Sequence, residues 1–336
     1  MRQSPVSATK RMSKARKMPR PATLAERIER AHVLDRPIRA LTDTVVRALP
    51  AGARADALHG VPFGQPAHPA LVRLPLGCWT SAVLLDVFRG SERASRVLVA
   101  AGLLGTLPAA ATGLADWSAL HRDQQRVGMV HLGCQGAAAV LFAGSFFARL
   151  GVRPGSRTGP STGSSAGKAL SVLGLLTATA GAYLGGHLAL RLGAGTSHAD
   201  QVSHLSGLGW HDLCSLESLP QQRPVRRQLG YLSLLVFRDK ASVYVLSDRC
   251  AHLGGPLHQG RIVAERGVTC VTCPWHGSTF ALPDGRVVHG PATARQPSFE
   301  TRVTDGGLVQ LRPRPLAGRP QPNSWLRRAC CAALVQ

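Results

Sequence analysis

Apolar and polar positions divide the chain into regions with different periods. Between residues 68 and 192 apolar residues run nearly unbroken in four stretches, about 69–89, 96–115, 127–149 and 168–190. Each holds about 20 residues, enough for a helix to cross ~30 Å of hydrocarbon. Gly, Ala, Ser and Thr are frequent in them, which suits close helix contact in lipid. The first stretch is impure. It holds Arg73, Pro75 and Asp86, and its two charges lie near opposite ends where they can snorkel. A soluble bundle of apolar helices is the alternative reading. Residues 150–167 form a polar loop rich in Gly, Ser and Pro. Upstream, Thr23 and Glu26 make a capping box, with Leu24, Ile28 and Ala31 on one helical face. A second short helix is predicted to start near Pro37, with Ile38, Leu41 and Val45 inward. Both are expected to pack on the membrane domain, or else to lie in the membrane interface. After residue 205 the runs shorten to 231–237, 242–246 and 308–311, β-branched and broken by Gly and Pro. They predict a small all-β domain.

The expected fold is therefore a four-helix α transmembrane bundle followed by an all-β domain of small antiparallel sheets. The boundaries read as a basic arm with short amphipathic helices (1–67), the membrane domain (68–192), a linker (193–205), the β domain (206–313) and a basic tail (314–336). Charge refines this division. Lys and Arg number 40 against 18 Asp and Glu, for a formal net charge of +22 over 336 residues. Only five of the 40 are Lys, so much of the excess reflects Arg usage rather than a nucleic-acid surface, and no specific nucleic-acid partner is expected. The first 20 residues carry seven basic and no acidic side chains. No apolar run follows them, so they read as a solvated arm rather than a signal peptide. Charged residues make up 17%, below the roughly 25% of a soluble domain, which agrees with lipid-facing helices. Eight irregularly spaced Cys exclude a small disulfide scaffold. Cys330 and Cys331 are too far from the C-terminus for a prenylation box.

Two short motifs in the β region carry chemistry. Cys250-Ala-His252 and Cys273-Pro-Trp-His276 are separated by 20 residues. Each places a thiol and an imidazole in one tight loop. A 2Fe–2S cluster with one iron on two Cys and the other on two His needs this set. A structural zinc site is the alternative for the same four residues. Gly254, Gly255 and Gly277 allow close approach of backbone amides, while Pro256 and Pro274 stiffen the loops. Cys270 reads as a strand residue, and Cys78 and Cys134 as packing residues. Cys214 has no recognisable role.

The stretches CAHLGGPLHQG and CVTCPWHGSTF, followed by DGRVVHGPATARQPSFETRV, resemble the two cluster loops and the closing Pro loop of the Rieske iron–sulfur domain. The resemblance covers about residues 208–313. It implies that Cys250 and Cys273 hold one iron as thiolates and His252 and His276 the other as neutral imidazoles, usually facing solvent. Respiratory members carry a disulfide between the two loops. The matching positions here are Gly255 and Trp275, so the chain resembles the ferredoxin type of oxygenase systems. Ser278 matches a serine that donates to a cluster sulfur, whereas Phe280 replaces a donor tyrosine. A missing donor and no disulfide imply a potential in the lower part of the Rieske range of roughly −150 to +300 mV. Too few residues follow for the second iron domain of an oxygenase catalytic subunit, and no nicotinamide or flavin fingerprint is present. The expected role is single-electron transfer between redox partner proteins. A redox or iron-status sensor and a zinc-stabilised interaction module are the alternatives.

The segments HPALVRLPLG, GLLGTLPAAATGLADW and AYLGGHL resemble a bacterial four-span membrane domain family of uncharacterised function, some of whose members are fused to a C-terminal Rieske domain. Alternating spans would put His68, Asp116, His131 and His187 at one membrane face, the face from which the β domain leaves. Such a face could hold a haem b or a quinone, or it could simply meet headgroups. His121, His198 and His204 read as solvated loop residues at the same side. Basic residues near the span ends are ambiguous, and the basic arm tips the reading toward an N-inside protein of the bacterial inner membrane with its β domain in the cytoplasm.

Overall fold

A computed structural model describes residues 24–88, 90–150, 162–199 and 209–314. Residues 1–23, Thr23 among them, most of the 150–167 loop, His204 and the tail with Cys330 and Cys331 lie outside the described residues. The helices are α1 (Leu24–Glu29), α2 (Asp35–Ala48), α3 (Ala53–His59), α4 (His68–Leu71), α5 (Arg73–Leu85), α6 (Glu92–Ser118), α7 (Arg122–Leu150) and α8 (Thr162–Gly186). A π-helical turn, His187–Arg191, continues α8.

Among the described residues three segments are long and apolar enough to cross a membrane: Glu92–Ser118, Arg122–Leu150 and Ser165–Arg191. The first of the four expected spans falls short of that length. Pro75 has no N–H to give the carbonyl of Leu71, and the helix divides at Val72 into α4 and α5. The core of this bundle is drawn from four helices. Trp79 and Ala82 of α5, Val99 of α6, Ala138 and Phe142 of α7 and Ala178 of α8 pack together. The Trp79 and Phe142 rings stack at 4.2 Å. Large side chains point outward instead: Leu104, Leu107, Val140, Phe147 and Leu176 are all exposed. A helix surface this apolar suits lipid rather than water.

Asp86 does not snorkel but is buried against Arg149. Arg149 donates to both Asp86 oxygens at 2.7 and 2.6 Å, with both side chains buried. Ser145, Ser171 and the carbonyl of Gly167 complete the guanidinium's partners. Lys168 Nζ donates to the Asp86 carbonyl. The paired charges close one end of the bundle, because a lone charge there would be costly to desolvate.

The opposite end is clasped by the N-terminal helices, as expected from their apolar faces. Ala25 of α1 is buried against Val127 and Leu184, while Leu24 points outward rather than inward. Ile38 of α2 is fully buried. Arg126 holds this clasp, donating to both oxygens of Asp35 (2.8 and 3.0 Å) and to the Glu29 carbonyl. The Arg126 guanidinium holds the Asp35 carboxyl down to about 2.

The C-terminal region is all-β, with strands β1 (His211–Ser215), β2 (Val225–Leu229), β3 (Leu232–Asp239), β4 (Ser242–Ser247), β5 (Arg261–Glu265), β6 (Val268–Thr272), β7 (Thr279–Ala281), β8 (Val287–His289), β9 (Ser298–Val303) and β10 (Leu308–Pro313). A six-stranded antiparallel sheet runs β1-β10-β9-β4-β3-β2, and a four-stranded one runs β5-β6-β7-β8. The three predicted runs are β3, β4 and β10. β3 alternates toward two cores: Leu234 and Val236 face one, Leu235 and Phe237 the other. The second core includes Leu246, Leu257, Val271 and Phe280, and it supports the two motif-bearing loops.

Candidate metal centre

The two loops leave equivalent strand ends. Cys250-Ala-His252 follows β4 and Cys273-Pro-Trp-His276 follows β6. Each turns back on itself: Gly254 N donates to the Cys250 carbonyl (2.8 Å) and Gly277 N to the Cys273 carbonyl (3.1 Å). Both glycines sit four residues after their Cys with φ of +76° and +79°. A side chain there would cost about 1–2 kcal/mol of backbone strain. Gly255 answers a space requirement: a Cβ would lie 2.9 Å from Cys273 Sγ and 3.0 Å from the Trp275 ring.

The fold brings the four motif residues together in two like pairs. The Cys250 and Cys273 thiols act on each other: the neighbouring Cys250 thiol lowers the Cys273 thiol to about 7, while Cys273 pushes Cys250 up. The His252 and His276 ring centroids are 5.2 Å apart, nearly perpendicular. Burial is the main cause of the low basicity of both imidazoles, His252 at about 3 and His276 at about 4. His276 Nδ1 is buried with no hydrogen-bond partner. A buried ring nitrogen without a partner is costly unless something else binds it. Among the described residues no three His, Cys, Asp or Glu side chains converge on one point. The set suits two metal atoms with two protein donors each better than one tetrahedral ion. Cys270, on β6, stays apart, buried and bonded through its thiol to the Val268 carbonyl.

Ser278 is fully buried, and its Oγ accepts from Ala292 N at 3.0 Å, leaving its hydroxyl hydrogen free. Phe280 lies in the core beneath the loops. Two supports were not legible in the motifs. Gln296 accepts from Ala251 N (2.8 Å) and donates to the carbonyls of Ser247 and Arg249, so it ties the first loop to the closing segment. Asp248 accepts from His258 N, the His258 ring and Ser233 Oγ. Neither side chain announces its target in sequence, because both partners are main-chain or distant.

The imidazoles do not face open solvent. The His121 ring, at the α6–α7 turn, lies 5.6 Å from His276 and 5.2 Å from Trp275, so His121 is a contact residue rather than a solvated one. A cavity of about 50 Å³ separates His252 from His59 and Asp116, with Leu120, Thr196 and Ala292 in its wall. Asp56 of α3 accepts from Gly290 N (2.8 Å) and from the His289 ring (2.9 Å). His198 N donates to the Ala251 carbonyl at 2.8 Å. These contacts seat the β domain on the helical one.

The expected four-residue face at the membrane end divides. His59 Nδ1 bonds Asp116 at 2.8 Å and His187 Nε2 bonds Glu29 at 2.7 Å. Only His68 and His131 meet, with ring centroids 6.5 Å apart.

Comparison with known proteins agrees with both halves. Residues 209–300 match the Rieske [2Fe-2S] domain, and residues 64–198 match a family described as Predicted membrane protein (DUF2231). The chain carries a C-terminal Rieske 2Fe–2S domain preceded by a domain of that membrane protein family. Among curated proteins, a human Rieske domain-containing protein is 31% identical over 77 residues, covering 23% of this chain and 49% of that protein. The mouse apoptosis-inducing factor 3 is 29% identical over 91 residues, 27% of this chain and 14% of that one. The chain thus spans half or less of the length of these relatives. Among solved structures, the ferredoxin of carbazole 1,9a-dioxygenase from Nocardioides aromaticivorans is 24% identical, covering 31% of this chain and 98% of that one at a TM-score of 0.28. The E. coli protein NirD is 27% identical, covering 31% and 96% at a TM-score of 0.29.

Proposed function

We propose that the chain is a multi-pass inner-membrane iron–sulfur protein that passes single electrons between a reductase or membrane carrier and an acceptor such as an oxygenase. The observation that carries this reading is the pairing of two thiols with each other and two imidazoles with each other, one ring nitrogen buried without a partner. Cys250 and Cys273 would hold one iron and His252 and His276 the second. When bound, such a cluster supplies a one-electron couple. The protein's own groups do the rest. Ala251, Leu253 and Ala292 are buried and exclude water from the loops. Ser278 keeps a hydroxyl hydrogen for a sulfur acceptor, while Phe280 has none to give. His121 and Trp275 cover His276 on the membrane side. Potentiometric titration of the detergent-purified chain tests this. We expect one reversible one-electron transition with a midpoint below about +200 mV, the upper part of the Rieske range being excluded by the missing donor and disulfide. An irreversible or absent transition contradicts electron transfer, and a midpoint well above that bound contradicts the donor argument alone.

The fourth crossing in this reading is α4 and α5 together. Residues 68–85 would extend about 27 Å along a helix axis, near the ~30 Å hydrocarbon thickness. An even number of crossings with a basic N-terminal arm inside puts the Rieske domain in the cytoplasm. Protease added to inside-out vesicles should then remove this domain while intact spheroplasts protect it. The reverse pattern overturns the orientation.

A further inference from the structure

An imidazole–carboxylate pair of the helical domain lies where the β domain is seated, and the ligand set uses neither member. His59 ends α3 and Asp116 lies in the last turn of α6. They are 57 positions apart, and the fold joins them: His59 Nδ1 bonds Asp116 Oδ1 at 2.8 Å. An ionised carboxylate only accepts, so Nδ1 carries the hydrogen and the tautomer of His59 is fixed. The two side chains keep 9% and 30% of their exposure. Asp35 and Asp86 are each matched by a buried guanidinium. Among the described residues no Lys or Arg forms an ion pair with Asp116. Its negative charge therefore stands uncompensated whenever His59 is neutral.

This pair and His252 line one cavity of about 50 Å³. Thr196, Ser197 and Thr293 add polar groups to its wall. At roughly 10–15 Å³ per water, such a space takes a few bridging waters and no larger ligand. The seat is pinned on both sides of the cavity. Asp56 accepts from Gly290 N, and His198 N donates to the Ala251 carbonyl, next to His252. The carboxylate is thus held near the cluster loops by backbone contacts that do not depend on it. Its effect on a one-electron centre there has a definite sign. Reduction adds one negative charge to the centre, and a fixed negative charge nearby opposes that step. In a site that admits only a few waters the opposition is stronger than in bulk water, and salt screens it weakly.

We propose that the His59–Asp116 pair of the helical domain is the outer partner of His252, and that its carboxylate lowers the reduction potential of the Rieske centre. His59 and Asp116 are positioning residues in this role, and the inference rests on the cluster ligation proposed above. The test is a redox titration of the full detergent-purified chain, read by electron paramagnetic resonance. It is run at pH 9, where an ordinary imidazole is neutral and an ordinary carboxylate charged. Asp116→Asn keeps an oxygen for the His59 N–H and removes the charge. We expect it to favour reduction roughly tenfold, a rise of about 59 mV for a one-electron couple. Asp116→Glu restores the charge and should stay within about threefold of wild type. Asp305→Asn removes an exposed carboxylate beyond the far end of β9 and should leave the midpoint unchanged. A merely structural role for Asp116 would not separate the Asn variant from the Glu variant in this way. An Asp116→Asn midpoint within about twofold of wild type overturns the proposal. So does an equal shift in the Asn and Glu variants. The reduced-cluster signal of the wild type keeps the two readings apart. Its absence overturns the ligation and this inference together, whereas a normal signal with an unmoved midpoint overturns the charge effect alone.

Discussion

Cys273→Ser is expected to remove the iron–sulfur signal entirely, in both optical and electron paramagnetic resonance spectra of the purified chain. Both thiols are buried, and each loop offers a single cysteine to the pair. A hydroxyl has no thiolate to give, and a cluster held by thiolates on one iron does not survive the loss of half of them. Cys250→Ser should behave the same way. Cys270→Ala is the discriminating control. Cys270 lies three residues before Cys273, but its thiol bonds the Val268 carbonyl from within the strand. The cluster spectrum of that variant should be unchanged, and its loss there would mean the ligand set is misassigned. Parallel iron and zinc analyses separate cluster loss from a zinc-holding fold.

Asp86→Ala is the second large effect, expressed in stability rather than spectrum. It leaves Arg149 buried at 5% exposure with only neutral partners: Ser145, Ser171 and the Gly167 carbonyl. Removing one partner of a buried pair costs about 3–5 kcal/mol, chiefly through the stranded charge. Thermal unfolding in detergent should show a markedly lower midpoint. The double replacement Asp86→Leu with Arg149→Met should recover much of the loss, since no charge is stranded. Equal loss in the single and double variants would show that the two residues are not coupled.

Legibility in the sequence followed the range of the interactions. The cluster motifs were readable because ligand, turn glycine and neighbouring proline all lie within a few residues of one another. Strands β3, β4 and β10 were readable because alternation is local. Asp86 and Arg149 were not readable as a pair, because 63 positions separate them and each alone looks like a span-end charge. The length of the first span was overestimated because hydropathy does not register the N–H missing at Pro75. Helical period puts Leu24 on one face with Ile28 and Ala31, yet docking of α1 on α7 and α8 buries the smaller Ala25 and leaves Leu24 exposed. His121 looked like a loop residue because the surface it meets belongs to another domain. Of the expected face of four polar groups, His68 and His131 meet and the other two do not join them. His59 and Glu29, outside the spans, claimed Asp116 and His187.

The central claim is that two cysteines and two histidines on paired loops hold a redox-active 2Fe–2S cluster. The most direct measurement is the pair of optical and electron paramagnetic resonance spectra of the detergent-purified chain, oxidised and then reduced with dithionite. The account predicts a red-brown protein, silent when oxidised, that gains on reduction the signal of a histidine-ligated cluster with a low average g-value. A colourless protein carrying one zinc and no iron would contradict it.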